Sequence, residues 1–176
     1  LAAPALANHP GERLDEVMEQ KEPAFEATGL DGIPSLDLVD VAGNAVKRDN
    51  LDEQMVVLSF GPEGCGEICD VQQALLSRVR DGVNITPMRD MVTFVVVADA
   101  PLPAMEPSPN LVIASPEKTV AASAARYVML SSRAIQGPLV HVIGRKGRHV
   151  GIFHGSDFVY VNMILYINGL TNAHPH

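Results

Sequence analysis

The chain has 176 residues, a formal net charge of −8 at pH 7, 47% hydrophobic residues and two cysteines. This length suits one domain with a sizeable core that needs no disulfide for its stability. The acidic balance and the scarcity of Lys/Arg clusters argue against a nucleic-acid partner, and no apolar run reaches the ~20 residues of a membrane span.

The N-terminal residues have features of an export signal. The tripeptide Ala-Leu-Ala at 5–7 has the small-x-small form of a secretory cleavage site. Residues 9–21 are predicted to form a short helix with an apolar stripe that includes Leu14, Val17 and Met18. We therefore predict a tail and helix over 1–24, a main domain over 25–171 and a C-terminal tail over 172–176.

The first half of the domain is predicted to contain a hairpin, a buried strand and a helix. Residues 36–41 and 44–46 alternate around a Gly-Asn turn, which is typical of a hairpin added to a sheet edge. Residues 55–60 form an apolar run ended by Gly61 and Pro62, which suits a strand covered on both faces. An amphipathic helix follows, and its sheet-facing side is predicted to consist of Ile68, Val71, Ala74, Leu75 and Val79.

Cys65 and Cys69 lie at the start of this helix. At positions i and i+4 their sulfurs lie on the same side, where they can bond to each other or share one ion. The helix N-terminus favours a thiolate at Cys65, whereas the neighbouring Glu63 and Glu67 oppose it. We predict that Cys65 is the better nucleophile. A structural disulfide explains the pair less well, because so short a loop stabilises the fold little.

The second half is predicted to contain two strands, a helix, a hairpin and a final helix. Residues 91–97 are rich in β-branched side chains and predict a strand, and 111–114 predict a shorter one. Residues 99–109 contain four prolines and are assigned to a loop. A helix started by Ser115 is predicted to run to 129, and a hairpin of 138–143 and 149–153 is placed at the far sheet edge. Ser156 is expected to cap a mostly apolar helix to 170, with Asn162 and Tyr166 among its polar positions.

This order of elements, with two cysteines after a central strand, is the thioredoxin-like arrangement. We therefore predict an α/β fold with a central mixed sheet flanked by helices and an added N-terminal hairpin. In such folds a proline precedes the strand that faces the active cysteines, and Pro138 occupies that position. If its peptide bond is cis, its backbone lies beside Cys65. The predicted catalytic residues are Cys65, Cys69 and Pro138.

Four segments carry a more specific resemblance: LDLVDVAGNAV, MVVLSFGPEGCGEIC, DMVTFVVV and HVIGRKGRHVGIFHG. Through them, and above all through the three residues between the cysteines, the chain resembles the Sco/SenC family from residue 37 onward. These are thioredoxin-fold proteins that handle copper and thiols during cytochrome c oxidase assembly. The resemblance implies a copper site at Cys65 and Cys69 with a later histidine.

The chain departs from the family pattern at several positions. Gln136 stands where the family has its third copper ligand, and Gly66 and Asp70 replace the prolines that usually follow the cysteines. The proline-rich loop 101–109 stands where a helix is expected. These departures put both the metal site and the choice of partner in question.

No other side chain is predicted to supply the missing copper ligand. His141 is assigned to the core. Met88 and Met91 could offer thioether ligands, but Met91 heads a strand and is assigned to the core instead. The remaining histidines are placed on the solvent-facing hairpin or in the tails: His149, His154, His9, His174 and His176.

Three functions follow as hypotheses. The first is thiol-disulfide exchange in the periplasm, on the cysteines of a copper site, with a cytochrome oxidase subunit or a copper chaperone as partner and no cofactor required. The second is Cu(I) binding and transfer by Cys65 and Cys69. The third is a non-catalytic binding module that docks through the C-terminal helix or the loop 101–109. Membrane attachment is expected only through a missing N-terminal segment, and the basic cluster Arg145, Lys146 and Arg148 is interpreted as a solvated turn.

Overall fold

The computed structural model describes residues 12–46, 51–99, 107–135 and 137–173. Within these residues four helices surround an eight-stranded mixed sheet. The helices are α1 (Glu12–Lys21), α2 (Glu67–Asn84), α3 (Val120–Val128) and α4 (Tyr160–Asn172). The strands are β1 (Phe25–Leu30), β2 (Leu38–Asp40), β3 (Ala45–Val46), β4 (Met55–Gly61), β5 (Val92–Ala98), β6 (Leu111–Pro116), β7 (Leu139–Ile143) and β8 (His149–His154).

The strand order is β1-β8-β7-β4-β5-β6-β2-β3. Strand β4 lies in the middle, parallel to β5 and antiparallel to β7, and β5 is parallel to β6. All residues of β4 from Met55 to Phe60 are buried, as the uninterrupted apolar run predicts. The predicted N-terminal hairpin is confirmed as β2 and β3, which extend the sheet beyond β6.

The helices cover both faces of the sheet. One hydrophobic cluster joins α1, α2 and α4 to one face, and it includes Met18, Val79 and Tyr166. A second cluster joins α3 to the opposite face through Val120 and Tyr127. The loops that follow the carboxyl end of β4 lie beyond these clusters, where polar side chains can reach solvent. None of the described helices is both long and apolar enough to cross a membrane.

The far sheet edge differs from the prediction. The hairpin of β7 and β8 was expected there, but β1 pairs with β8 and forms the edge instead. The sequence of β1, FEATGL, lacks a clear alternation, and its burial declines from Phe25 to Leu30. Gly151 of β8 lies opposite β1. A Cβ atom at Gly151 would lie only 2.5 Å from the Phe25 ring, so the close approach requires glycine.

The buried face of α2 also differs from the prediction. Ile68 and Val71 are 40% and 43% exposed, whereas Gln72 is completely buried. The buried stripe is formed by side chains three or four positions apart: Cys69, Gln72, Leu76, Val79 and Val83. The pattern of apolar residues did not indicate this stripe because the polar Gln72 lies within it.

Two helix starts were predicted wrongly. Ser115 belongs to β6, and Thr119 caps α3 by accepting a hydrogen bond from Ala122 N at 3.1 Å. Helix α4 starts at Tyr160, where Glu22 rather than Ser156 accepts the hydrogen bond of Val159 N.

The polar positions predicted for α4 are buried. Asn162 donates to the same Glu22 carboxylate, and the Tyr166 hydroxyl donates to Asp15 of α1 at 2.7 Å. Burial and the nearby Asp15 raise the pKa of Tyr166 above its ordinary range. These contacts are made with residues distant in the sequence, so local periodicity could not indicate them.

Candidate thiol site

Cys65 and Cys69 lie at the junction between β4 and α2. Cys65 N donates to Pro62 O at 3.1 Å within the loop, and Cys69 N donates to Gly66 O at 3.2 Å in the first helical turn. The two cysteines form a disulfide with their Cα atoms 5.9 Å apart. The prediction that both sulfurs lie on the same side is therefore confirmed.

The two sulfurs differ in accessibility. Cys65 is partly exposed, whereas Cys69 is only 7% exposed and its Sγ lies 3.9 Å from the carbonyl oxygen of Phe60. An incoming reactant therefore reaches Cys65 first. This difference agrees with the sequence-based choice of Cys65 as nucleophile, which stays a prediction.

Cys65 opens onto a cleft of about 290 Å³, here called the cysteine cleft. Its lining is mainly apolar and includes Phe60, Cys65, Ile68, Val128, Pro138 and His141. Pro138 thus lies in the same cleft as Cys65. No peptide bond between described residues is cis, so the cis isomer considered for Pro138 is not found.

Gln72 connects the cysteine helix to the proline strand. Its Nε2 donates to Pro138 O at 2.9 Å and to Gly155 O at 2.7 Å. The side chain lies one turn after Cys69, so it fixes α2 against the start of β7 and the end of β8. Gln72 was not among the residues predicted for the sheet-facing side of this helix, so this role was missed.

Asp99 connects the cysteine loop to α3. One carboxylate oxygen accepts from Glu63 N at 3.3 Å, and the other accepts from Val120 N at 3.4 Å. Asp99 directly follows β5, which runs parallel to β4, so the two strands end at the same edge of the sheet. In the sequence, an acidic residue directly after the β-branched strand is the signal that would have indicated this contact.

His141 belongs to a buried hydrogen-bonded chain. Thr28 Oγ1 donates to His149 O at 3.1 Å and therefore accepts from His149 Nδ1 at 2.6 Å. His149 Nε2 is then the acceptor for His141 Nδ1–H at 2.9 Å, which leaves His141 Nε2 without a proton. The assignment of His141 to the core agrees with its position, whereas the solvent-facing position expected for His149 is wrong.

Burial keeps both histidines of this chain neutral. Burial, with a contribution from the charges of His149 and His154, lowers the pKa of His141 to about 3. Burial lowers the pKa of His149 to about 4, although Glu26 acts in the opposite direction. The charged forms are disfavoured because neither imidazolium could be hydrated there.

His154 was also expected to face solvent, and it is instead mostly buried and paired with Glu26. Its Nε2 lies 3.0 Å from Glu26 Oε1, and Ser131 and Ser132 donate to the same carboxylate. Burial alone would raise the pKa of Glu26, but the hydrogen bonds from Ser131, Ser132 and His154 lower it to about 2. This carboxylate holds the segment that leads to Pro138 against β1.

The copper ligands predicted from the sequence are only partly described. Among the described residues, no group of three or more His, Cys, Asp or Glu side chains is arranged to hold a metal ion. Gln136, His9, His174 and His176, and the loop residues 101–106, lie outside those residues. Met88 is buried in the main hydrophobic cluster and Met91 packs against it, so Met91 is a core residue as predicted.

A mixed sheet flanked by helices, with a cysteine pair where a central strand meets a helix, defines the thioredoxin-like α/β fold. The fold prediction is therefore confirmed. No protein-family model matches the sequence, and no curated protein sequence matches it significantly. Solved structures do match.

The matching structures include several Sco proteins. BsSco, a member of the Sco family of cytochrome c oxidase assembly proteins, superimposes with a TM-score of 0.64 at 9% identity, covering 84% of this chain and 96% of BsSco. A SCO1/SenC family lipoprotein from Bacillus anthracis gives 0.65 at 13% identity, with 83% and 98% covered. Copper-bound yeast Sco1 gives 0.62 at 15% identity, with 82% and 95% covered. The chain thus has the fold of the Sco/SenC structures, as the sequence resemblance predicted.

Proposed function

We propose that this chain is a Sco-like thiol-disulfide oxidoreductase that acts through Cys65 and Cys69. The observation that carries the proposal is the disulfide with one sulfur open to a cleft and the other buried behind it. This asymmetry separates the two roles that exchange requires, attack by an accessible thiolate and resolution by a protected thiol.

The reaction starts from the reduced protein. The Cys65 thiolate attacks one sulfur of a partner disulfide, whose S–S bond breaks as a mixed disulfide forms and the leaving partner thiolate takes up a proton. Cys69 then loses its proton and attacks the Cys65 sulfur. This step forms the Cys65–Cys69 disulfide and releases the second partner thiolate. The partner gains two electrons, and an external dithiol reductant returns the protein to its starting state.

Two proteins with this fold support the choice of reaction and partner. BsSco is described with a disulfide switch, and a Bacteroides protein of the same fold is a thiol:disulfide interchange protein (TM-score 0.55, 18% identity, 85% and 96% covered). We infer that the partner is the cysteine pair of a copper site during cytochrome c oxidase assembly. We also infer export to the periplasm, in line with the lipoprotein relative and the Ala-Leu-Ala tripeptide.

The test is reduction of a disulfide-bonded copper-site domain by the reduced chain and by two variants. Cys65→Ser is expected to abolish reduction, and Cys69→Ser is expected to accumulate a covalent complex with the partner, detected by non-reducing electrophoresis. Equal activity of the two variants would remove the assignment.

Cu(I) binding is the second candidate function, with copper as cargo. It is favoured by the placement of two sulfurs one turn apart, because two thiolates are a donor set that Cu(I) accepts. Several Sco structures of this fold contain copper. Titration of the reduced protein with Cu(I) against a competing chelator is expected to show about one tight equivalent.

The variant Gln136→His tests the third ligand. It is expected to tighten binding, as the family pattern implies. If native protein fails to bind copper and the variant binds it, the chain has kept the thiol chemistry and lost the metal. A non-catalytic binding module stays the further alternative, and it would be supported if replacing both cysteines with serine had no effect on function.

A further inference from the structure

Three acidic side chains are close in the sequence to Cys65, which opens onto the cysteine cleft. Glu63, Glu67 and Asp70 are exposed and lie two residues before, two after and five after Cys65. None of the three side chains forms an ion pair or a hydrogen bond in the part of the chain that the structure describes. The sequence also contains no Lys or Arg between residues 51 and 77.

Basic side chains on the opposite side of the cleft are turned elsewhere. Arg126 of α3 donates to Ser35 O at 3.0 Å, and Arg133 donates to Pro23 O and Phe25 O. Lys118, which precedes α3, is exposed, and so is the acidic Glu117 next to it. The loop and the helix start that carry Cys65 therefore present negative charge, without a neighbouring Lys or Arg in the sequence, to a molecule that approaches its sulfur.

The interior of the cleft is apolar, and apolar surface continues outside it. Ile68 lines the cleft and is 40% exposed, and Val71 on the next turn is 43% exposed. The cleft volume of about 290 Å³ lies at the lower end of the ~300–1,000 Å³ typical of pockets for drug-sized ligands. It suits a few side chains of an extended segment better than a cofactor.

We propose that the cysteine cleft docks an extended protein segment in which the target cysteine has apolar neighbours and is flanked by Lys or Arg. The apolar neighbours bury against Ile68 and Val128, and the flanking cations face Glu63, Glu67 and Asp70. The proposal rests on the proposed thiol exchange and specifies the partner of that reaction.

The experiment compares three peptides that share an intramolecular disulfide and leucines next to the cysteines. Their flanks are lysine, glutamine or glutamate. The reduced protein reacts with each peptide, and acid-quenched samples are analysed by mass spectrometry. The lysine peptide is expected to react about tenfold faster than the glutamate peptide at low ionic strength, and the difference is expected to shrink in 0.5 M salt, a concentration at which the screening length is only a few Å.

The variant Glu63→Gln/Glu67→Gln/Asp70→Asn is expected to bring the lysine-to-glutamate rate ratio close to one. The matched control is Glu16→Gln/Glu53→Gln/Asp81→Asn, which removes the same number of charges from exposed positions more distant from Cys65 in the sequence and is expected to keep most of the ratio. Rates with uncharged hydroxyethyl disulfide correct for any change in the reactivity of Cys65. A peptide with serine in place of leucine is expected to react several-fold more slowly.

The outcomes separate the docking proposal from the proposed function. Three outcomes would overturn the docking proposal and leave thiol exchange standing. They are equal rates with all three peptides, equal loss of the rate ratio in both triple variants, and reaction with hydroxyethyl disulfide but with none of the peptides. An equal rate with the serine peptide would overturn its apolar part. Association of two copies through the cleft, seen by light scattering and abolished by Ile68→Asp, would assign the cleft to self-association and also overturn it. No reaction with any disulfide would overturn the function itself.

Discussion

Gly66 adopts a backbone conformation that is open to almost no other residue type. Its φ of 72° and ψ of −150° fall in a region that is essentially restricted to glycine. The same residue is the N-cap of α2 and lies between Cys65 and the first helical turn. Because proline requires φ near −65°, this loop cannot take the proline that the family pattern has after its first cysteine.

Replacing Gly66 with alanine is therefore expected to lower the free energy of unfolding by about 1–3 kcal/mol. Chemical denaturation of the oxidised protein measures the change. Gly32→Ala is the control, because Gly32 has an ordinary φ and open space around its Cβ position. Similar stabilities of the two variants would show that the loop relaxes away from this conformation.

The two buried histidines make stability depend on pH. Their pKa values are lowered from 6.5 to about 3 for His141 and about 4 for His149. Below pH 6.5 the unfolded chain binds protons that the folded protein does not, so their contribution is complete above pH 6.5 and is lost as the pH falls.

We expect the free energy of unfolding to fall as the pH is lowered from 6.5 to 4.5. The variant His141→Phe is expected to be less stable at pH 7, because His149 Nε2 loses its donor, and to show a shallower slope over this range. Denaturation at several pH values measures both. Glu26 contributes little to the slope between pH 6.5 and 4.5. Its pKa is lowered from 4.5 to about 2, so the stabilisation that it provides is lost mainly below pH 4.5. An unchanged slope would contradict the assignment.

One buried amide connects the first turns of α2 to the segments that flank β7 and β8. Gln72 donates to the carbonyl groups of Pro138 and Gly155, which lie at the start of β7 and after β8. No apolar contact could substitute for it, since both carbonyl groups face the helix. Together with the buried apolar side chains of α2, this contact helps to position the turn that carries Cys69.

The variant Gln72→Glu keeps the shape but places a carboxylate against two carbonyl oxygens. It is expected to lower the free energy of unfolding by about 3 kcal/mol or more at pH 7, and by less at pH 5, relative to the native protein at the same pH. Gln20→Glu makes the same change at an exposed position of α1 and is expected to stay within about 0.5 kcal/mol. Urea denaturation of both variants decides whether the amide has this role.

Stability of the molecule comes from its two hydrophobic clusters rather than from the cysteine bond. The clusters lie on opposite faces of the sheet and include residues from all four helices. The disulfide closes a loop of only a few residues, so the entropy it removes from the unfolded chain is small. We therefore expect the fold to persist when this bond is reduced.

The variant Cys65→Ser/Cys69→Ser is expected to unfold within about 2 kcal/mol of the oxidised native protein, the entropy estimate for so short a loop. Comparison with the reduced native protein separates loss of the bond from the substitutions themselves. A much larger loss would indicate that the disulfide is structural and would weaken the proposed exchange.

The sequence by itself determined the elements whose patterns are local. The buried run of β4, the β-branched run of β5, the N-terminal hairpin and the i, i+4 cysteine pair each depend on neighbouring residues, and each is found in the structure. These features were sufficient to predict the thioredoxin-like fold and the place of the thiol site.

Tertiary structure decided which polar groups complete the site. Strand β1 pairs with a strand more than 100 residues away, and Gln72 bonds to carbonyl groups before β7 and after β8. His141 bonds to His149, and His149 bonds to Thr28 of β1. In the sequence, buried Gln, His and Glu side chains look like ordinary surface residues. Their burial is offset by hydrogen bonds to groups that are distant in the sequence, and that pairing exists only once the sheet has formed.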